Sequence, residues 1–183
     1  MKFLETEIKG LFEICPKVFE DKRGYFSETF SLSSFKENIG DINFIQDNES
    51  KSSFGVLRGL HIQKKPFEQS KLIRVIEGEV LDVVVDLREN SQTYGKTFSI
   101  ILNDTNKKQL FIPRGFAHGF VVLSESVVFS YKVDNYYSPE NETGIIWNDD
   151  DLNIDWKIDL SKLILSEKDI NLNTFNEFKK NHG

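Results

Sequence analysis

The stretch Gly55-Val56-Leu57-Arg58-Gly59-Leu60-His61-Ile62-Gln63 sets a guanidinium and an imidazole into an otherwise apolar segment. Val56, Leu57, Leu60 and Ile62 read as a buried strand. A strand without polar alternation is normally covered on both faces, where a cation or imidazole is costly unless partnered. Arg58 and His61 therefore need partners or a ligand. Residues three apart on a regular strand point to opposite faces. The intervening Gly59 is the residue type that marks a bulge, and a bulge can re-aim a side chain. The plain alternative is a satisfied core histidine and a salt-bridged arginine.

Downstream, Lys71 to Ile76 and Val80 to Arg88 are rich in β-branched residues and read as a hairpin about Glu77-Gly78. Lys71 sits at its mouth, where a surface lysine is unremarkable. Leu110-Phe111-Ile112 stops at Pro113-Arg114-Gly115, and Phe116 to Leu123 carries His118 into another apolar strand. Val127, Phe129, Tyr131 and Val133 share a face of the next strand, so Tyr131 is either a core tyrosine with a bonded hydroxyl or a placed acid. Tyr136-Tyr137-Ser138-Pro139 closes that run, ahead of Glu142, Ile145-Ile146-Trp147 and the acidic turn Asp149-Asp150-Asp151. Ser166-Glu167-Lys168-Asp169 reads as a helix start, with Asp169 near the positive end of the macrodipole.

Upstream, two extended segments flank the turn Glu20-Asp21-Lys22-Arg23-Gly24, and alternation from Tyr25 to Phe30 puts Phe26, Glu28 and Phe30 on one face. Glu28 is then an edge-strand charge or a ligand contact. Ser34-Phe35-Lys36-Glu37 resembles a capping box opening a helix that ends at Gly40. Gln46, Asp47 and Asn48 read as a polar loop. Many short strands, with helix mainly near the two ends, indicate an all-β jelly roll or barrel with short peripheral helices.

The 183 residues suffice for a full core and carry no Pro/Gly/Ser-rich linker or repeat, so one domain over residues 1–183 is expected. The net charge of -6 is spread along the chain, which argues against nucleic acid and against a charged membrane surface. Apolar runs fall far short of the roughly 20 residues that span a bilayer, and Met1-Lys2-Phe3-Leu4-Glu5 lacks a signal-peptide pattern. The expected location is cytoplasmic. Cys15, the single cysteine, excludes an internal disulfide and a cysteine-based zinc site, and reads as a small core residue.

With these residues in place the chain resembles the dTDP-4-dehydrorhamnose 3,5-epimerase family over nearly its whole length. The resemblance rests on Val18 to Phe26, Gln46-Asp47-Asn48, Gly55 to Gln63, Lys71-Leu72-Ile73-Arg74, Val83 to Arg88 and Ile112 to Phe120. It implies a cupin-like jelly-roll barrel acting on a nucleotide-linked 4-keto sugar without a cofactor. Carried across residue by residue, the family's general base falls on His61, its proton donor on Tyr131 and the carboxylate partner of the base on Asp169. The resemblance further implies that Arg23, Phe26, Glu28, Gln46, Asp47, Asn48, Arg58, Lys71, His118, Glu142 and Lys168 bind substrate. Of these, Arg23, Phe26 and Glu28 would reach the nucleotide held by the other subunit of a homodimer. The chain departs from the family at Ile170-Asn171-Leu172-Asn173, which lacks the family's frequent proline, and at Thr97-Phe98, where a tryptophan is common.

The chemistry implied is proton removal at carbons α to a ketone. His61 suits it because an unperturbed imidazole titrates near neutrality, and an adjacent carboxylate would orient the ring. Lys71 would stabilise the enolate oxygen. The rival from another class is a sugar-binding jelly roll in which no proton moves, since fold alone does not decide function. A metal-dependent cupin is disfavoured because the only histidines are His61, His118 and His182, with no His-X-His pair. Relatives that invert only one carbon, or use another nucleotide sugar, are the nearest alternative.

Overall fold

The computed structural model describes residues 1–182, the side chain of His182 excepted. The chain runs β1 (Lys2–Glu5), β2 (Phe12–Cys15), β3 (Val18–Asp21), β4 (Gly24–Ser27), α1 (Leu32–Asn38), β5 (Gln46–Ser53), β6 (Leu57–Gln63) and β7 (Lys71–Glu77). It continues through β8 (Glu79–Asp86), β9 (Thr97–Asn103), β10 (Gln109–Ile112), β11 (Phe116–Val122), β12 (Ser126–Val133), β13 (Glu142–Gly144), α2 (Glu167–Ile170) and α3 (Phe175–His182). A six-stranded sheet, β1-β2-β10-β7-β12-β5, faces a five-stranded sheet, β13-β6-β11-β8-β9, while β3 and β4 form a separate ribbon. This is the expected all-β jelly roll with short helices at its margins. Among the described residues, no helix is long and apolar enough to cross a membrane.

Strand alternation sorts the side chains into layers. Ile73 and Val75 of β7, Phe129 of β12, Val80 and Val84 of β8, and Phe116 and Phe120 of β11 meet between the sheets. Leu81, Val83 and Val85 of β8, with Ala117 and Val121 of β11, point the other way, against Ile145, Leu152, Trp156, Phe175 and Phe178 of the C-terminal segment. The five-stranded sheet is thus covered on both faces, which is why β8 and β11 are near-continuous apolar runs. On the outer face of the six-stranded sheet, α1 seats Phe35 against Ile14, Leu72 and Phe111.

The organising stretch bulges as expected. On β6, His61 pairs with His118 and Arg58 with Phe120, so three steps along β6 match two along β11. The extra residue puts Leu57 and Leu60 together in the outer layer and turns Arg58 and His61 both inward. Gly59 makes this possible: its φ is +121°, and a Cβ there would lie 2.5 Å from Gly119 Cα and 2.7 Å from the His118 carbonyl oxygen.

Several local expectations are corrected. β7 and β8 do not form a hairpin but belong to opposite sheets. At Gly78 the chain crosses between them, so tightly that a Cβ would sit 2.1 Å from the Ser126 carbonyl oxygen. Helix α1 is capped by Ser31 rather than Ser34, whose N–H donates to the Ser31 hydroxyl; the earlier start adds the turn that seats Phe35. Gln46, Asp47 and Asn48 are not a loop but open β5, paired with Val133, Lys132 and Tyr131. An edge strand tolerates such polar side chains because its backbone ladder alone holds it. Alternation past Ser27 also fails, because Phe30 leaves the ribbon to pack at 5.0 Å from Phe35 and 5.6 Å from Phe44. Cys15 is half-buried beside Glu13 rather than in the core.

Candidate active site

At one end of the space between the sheets, polar residues replace the apolar filling and line a cavity of about 310 Å³. Arg58, His61, His118 and Phe120 come from the five-stranded sheet, Lys71, Phe129 and Tyr131 from the six-stranded sheet, and Ser166, Lys168 and Asp169 from the segment around α2. The Phe120 and Phe129 rings stack across the gap, with centroids 4.3 Å apart and planes 15° apart.

His61 Nε2 lies 2.6 Å from Asp169 Oδ1. Asp169 is 3% exposed, and its carboxylate also accepts from the Ser166 hydroxyl at 2.7 Å and from the Gly59 N–H at 3.4 Å. Burial pushes this carboxyl up, but the hydrogen bonds from His61 and Ser166 outweigh it and hold the group below its ordinary value. An ionised Asp169 accepts a proton-bearing Nε2, which leaves the Nδ1 lone pair of a neutral ring as the basic site. Nδ1 lies 3.8 Å from Glu142 Oε1. Glu142 in turn accepts from the Tyr137 hydroxyl at 2.6 Å and pairs with Lys168. Burial raises the Glu142 carboxyl, and the bonds from Lys168 and Tyr137 bring it below its usual range.

On the facing wall, burial pushes the Tyr131 phenol up, aided by the Glu142 charge, so the group keeps its proton at neutral pH. Desolvation brings the Lys71 ammonium down to about 8, against the opposing pull of Glu142 and Asp82. His118 Nε2 lies 2.8 Å from Asp82 Oδ2, while Asp82 Oδ1 is buried without a hydrogen-bond partner. Burial lowers the imidazole of this pair and raises the carboxyl, so both groups lean towards their uncharged forms. Arg58 donates to the Ser52 hydroxyl at 3.2–3.3 Å. The cavity can thus bind an anion, remove a proton at one wall and supply one at the other.

The structure gathers His61, Tyr131, Asp169, Arg58, Lys71, His118 and Lys168 around this cavity, with Glu142 behind His61. Gln46 and Asn48 line an adjoining cavity of about 230 Å³ with Gln69, Tyr131 and Tyr137. Asp47 points elsewhere and pairs with Lys132 at 2.5 Å. Arg23 and Phe26 lie on the β3–β4 ribbon and line a separate cleft, Arg23 pairing with Asp21 at 2.6 Å. Glu28 is exposed beyond the end of β4. Sequence reasoning did not assign Ser166, Asp82, Tyr137 or the Phe120–Phe129 stack to the site. Ser166 was read as the start of a helix, and the structure makes it the cap whose hydroxyl donates to Asp169. Among the described residues, no group of three or more His, Cys, Asp or Glu is arranged to hold a metal ion.

Comparison with known proteins places the chain. Residues 5–177 match the family model described as dTDP-4-dehydrorhamnose 3,5-epimerase. A dTDP-4-dehydrorhamnose 3,5-epimerase of Methanothermobacter thermautotrophicus is 51% identical over 172 residues, covering 93% of this chain and 92% of that one. The crystal structure of an Elizabethkingia anophelis dTDP-4-dehydrorhamnose 3,5-epimerase superposes with a TM-score of 0.93 at 55% identity, covering 97% of each chain. A Legionella pneumophila epimerase crystallised with dTDP-4-keto-L-rhamnose gives a TM-score of 0.92 at 44% identity, covering 96% of this chain and 93% of that one. Whole-length agreement in sequence and fold shows that the chain belongs to the dTDP-4-dehydrorhamnose 3,5-epimerase family, a family of isomerases.

Proposed function

We propose that this chain inverts C3 and C5 of a nucleotide-linked 4-keto-6-deoxyhexose, converting dTDP-4-dehydro-6-deoxy-D-glucose to dTDP-4-dehydro-L-rhamnose. The observation that carries the reading is the His61–Asp169 pair on one wall of a cavity whose other wall presents Tyr131. His61 Nδ1 takes the proton from a carbon next to the ketone, and the C–H electron pair passes into an enolate. Asp169 stabilises the imidazolium that forms, as a carboxylate does for a catalytic histidine. Lys71, charged below about 8, neutralises the enolate oxygen. Tyr131 then delivers its proton to the opposite face of the same carbon, which inverts the centre.

The working unit is read as a homodimer. Phe26 is 69% exposed on the ribbon beside Arg23, away from the cavity, and this supports a role for Arg23, Phe26 and Glu28 in holding the nucleotide of a neighbouring subunit. Mixing an Arg23→Ala variant with a His61→Asn variant is expected to restore activity through hybrid dimers. No recovery after demonstrated subunit exchange would assign each site to one chain.

Turnover of the 4-keto-6-deoxyglucose nucleotide in deuterated water, followed by NMR, tests the chemistry. Label at both C3 and C5 is expected. Label at one carbon would make the chain a single-centre epimerase, and no label at all would leave it a sugar-binding protein.

A further inference from the structure

This inference rests on the double inversion proposed above and concerns its proton accounts. Each inversion leaves His61 with one proton too many and Tyr131 with one too few. A second inversion of the same sugar cannot begin until both are restored. The imbalance is one proton, and it lies on opposite walls of a cavity that the substrate fills.

The residues behind the site connect those walls. Glu142 Oε1 lies 3.8 Å from His61 Nδ1, and Glu142 Oε2 accepts from the Tyr137 hydroxyl at 2.6 Å. Tyr137 in turn lines, with Tyr131, the adjoining cavity of about 230 Å³ walled by the amides of Gln46, Asn48 and Gln69. We propose that Glu142 and Tyr137 are a proton return path, carrying the proton taken up by His61 back to Tyr131 through water in the amide-lined cavity. Glu142 is then a resetting group rather than the sugar-binding contact that the family resemblance implies.

The steps balance. The imidazolium draws Glu142 Oε1 in from 3.8 Å to hydrogen-bond distance and gives it the proton, so that Glu142 becomes a neutral acid; the Glu142–Tyr137 bond reverses, the acid donating and the phenol releasing its own proton to water. That water protonates the Tyr131 phenolate, and all four groups regain their starting states. Lys168, paired with Glu142, favours the return of Glu142 to its ionised form. A polar cavity of this size accommodates several waters, at roughly 30 Å³ each in the liquid. The Tyr137 phenol, pushed up to about 12 by its bond to Glu142, stays protonated between passages.

Tyr137→Phe breaks the path and leaves the ring in place. In this variant the second inversion is expected to fall at least about tenfold relative to the first, the low end for loss of a positioned proton carrier being about 10²-fold. The singly inverted sugar nucleotide should accumulate, as followed by NMR in a time course. Added imidazole, a small proton carrier, should restore the second inversion. Unchanged rates for both inversions would overturn the path, and so would equal slowing of both without rescue by imidazole. Wild-type protein run in parallel keeps this apart from the reading it rests on. If the wild type labels one carbon only, double inversion fails, and the path is then judged on the ratio of multiple-turnover to single-turnover rate, which Tyr137→Phe should lower.

Discussion

Asp169→Asn isolates the charge beside His61. The amide has the shape of the carboxylate, and its oxygen can keep the place that Oδ1 holds 2.6 Å from His61 Nε2. The amide nitrogen then falls where Oδ2 accepts from Ser166, whose hydroxyl can reverse and accept. What disappears is the negative charge facing an imidazolium. Opposite charges about 4 Å apart at an effective dielectric of about 20 attract by about 4 kcal/mol. Loss of charge assistance to one hydrogen bond alone is worth about 1.5 kcal/mol. At about 1.4 kcal/mol per decade, these bounds bracket a rate loss of about 10- to 1,000-fold. Deuterium exchange into substrate measures it, because exchange reports proton abstraction directly. A folded Asp169→Asn protein, checked by its melting temperature, that exchanges within about threefold of wild type would refute the pairing. Asp169 would then be a carboxylate satisfying a helix end.

Lys71 has a folded value near 8 against an ordinary 10.5, so kcat/KM is expected to fall as pH rises through about 8, and Lys71→Gln should remove that limb along with most activity. The same depression means that the unfolded chain holds a proton the folded chain has released between about 8 and 10.5, so stability against urea should rise with pH across that window. Asp86 is raised by burial but brought down to about 2 by hydrogen bonds from Arg88, Ser91 and Thr93. Its stabilisation, about 2 kcal/mol, is present above about 3.8 and lost as pH falls towards about 2. The melting-temperature gap between wild type and Asp86→Asn should close over that range; a constant gap would contradict the shift. Gly59→Ala drives a methyl to 2.5 Å from the Gly119 backbone at φ +121°, and should cost about 2–4 kcal/mol in urea denaturation. Since no metal-binding cluster is found among the described residues, chelator-treated protein should keep its rate; loss restored by one divalent ion would overturn this.

The fold class was legible because β-branched runs and turns are local signals, and so was the bulge, because Gly59 between two inward polar residues has few other uses. The β7–β8 connection was misread for a physical reason. A short glycine turn joins either two paired strands or two facing sheets, and only tertiary packing against Ser126 decides which. The polar run Gln46-Asp47-Asn48 misled for the converse reason, since an edge strand draws its order from its partner β12. His61, Tyr131, Asp169 and Glu142 were reached through the family resemblance, and Tyr137 behind them was not. Tyr137 sits in a tyrosine-rich turn, and nothing local signals that its hydroxyl meets Glu142.

The stacked rings of Phe120 and Phe129 belong to different sheets. They therefore act as a spacer, setting the width of the cleft between the walls that carry His61 and Tyr131 much as a shim sets the gap of a vice. Proton transfer depends on that width more steeply than packing energy does, because a misplacement of about 1 Å can cost about 10²-fold in rate. A substitution such as Phe129→Leu, which keeps the position apolar, thus bears on the reaction as much as on stability. At these two buried, chemically inert positions the size of a ring sets the geometry of the chemistry beside it.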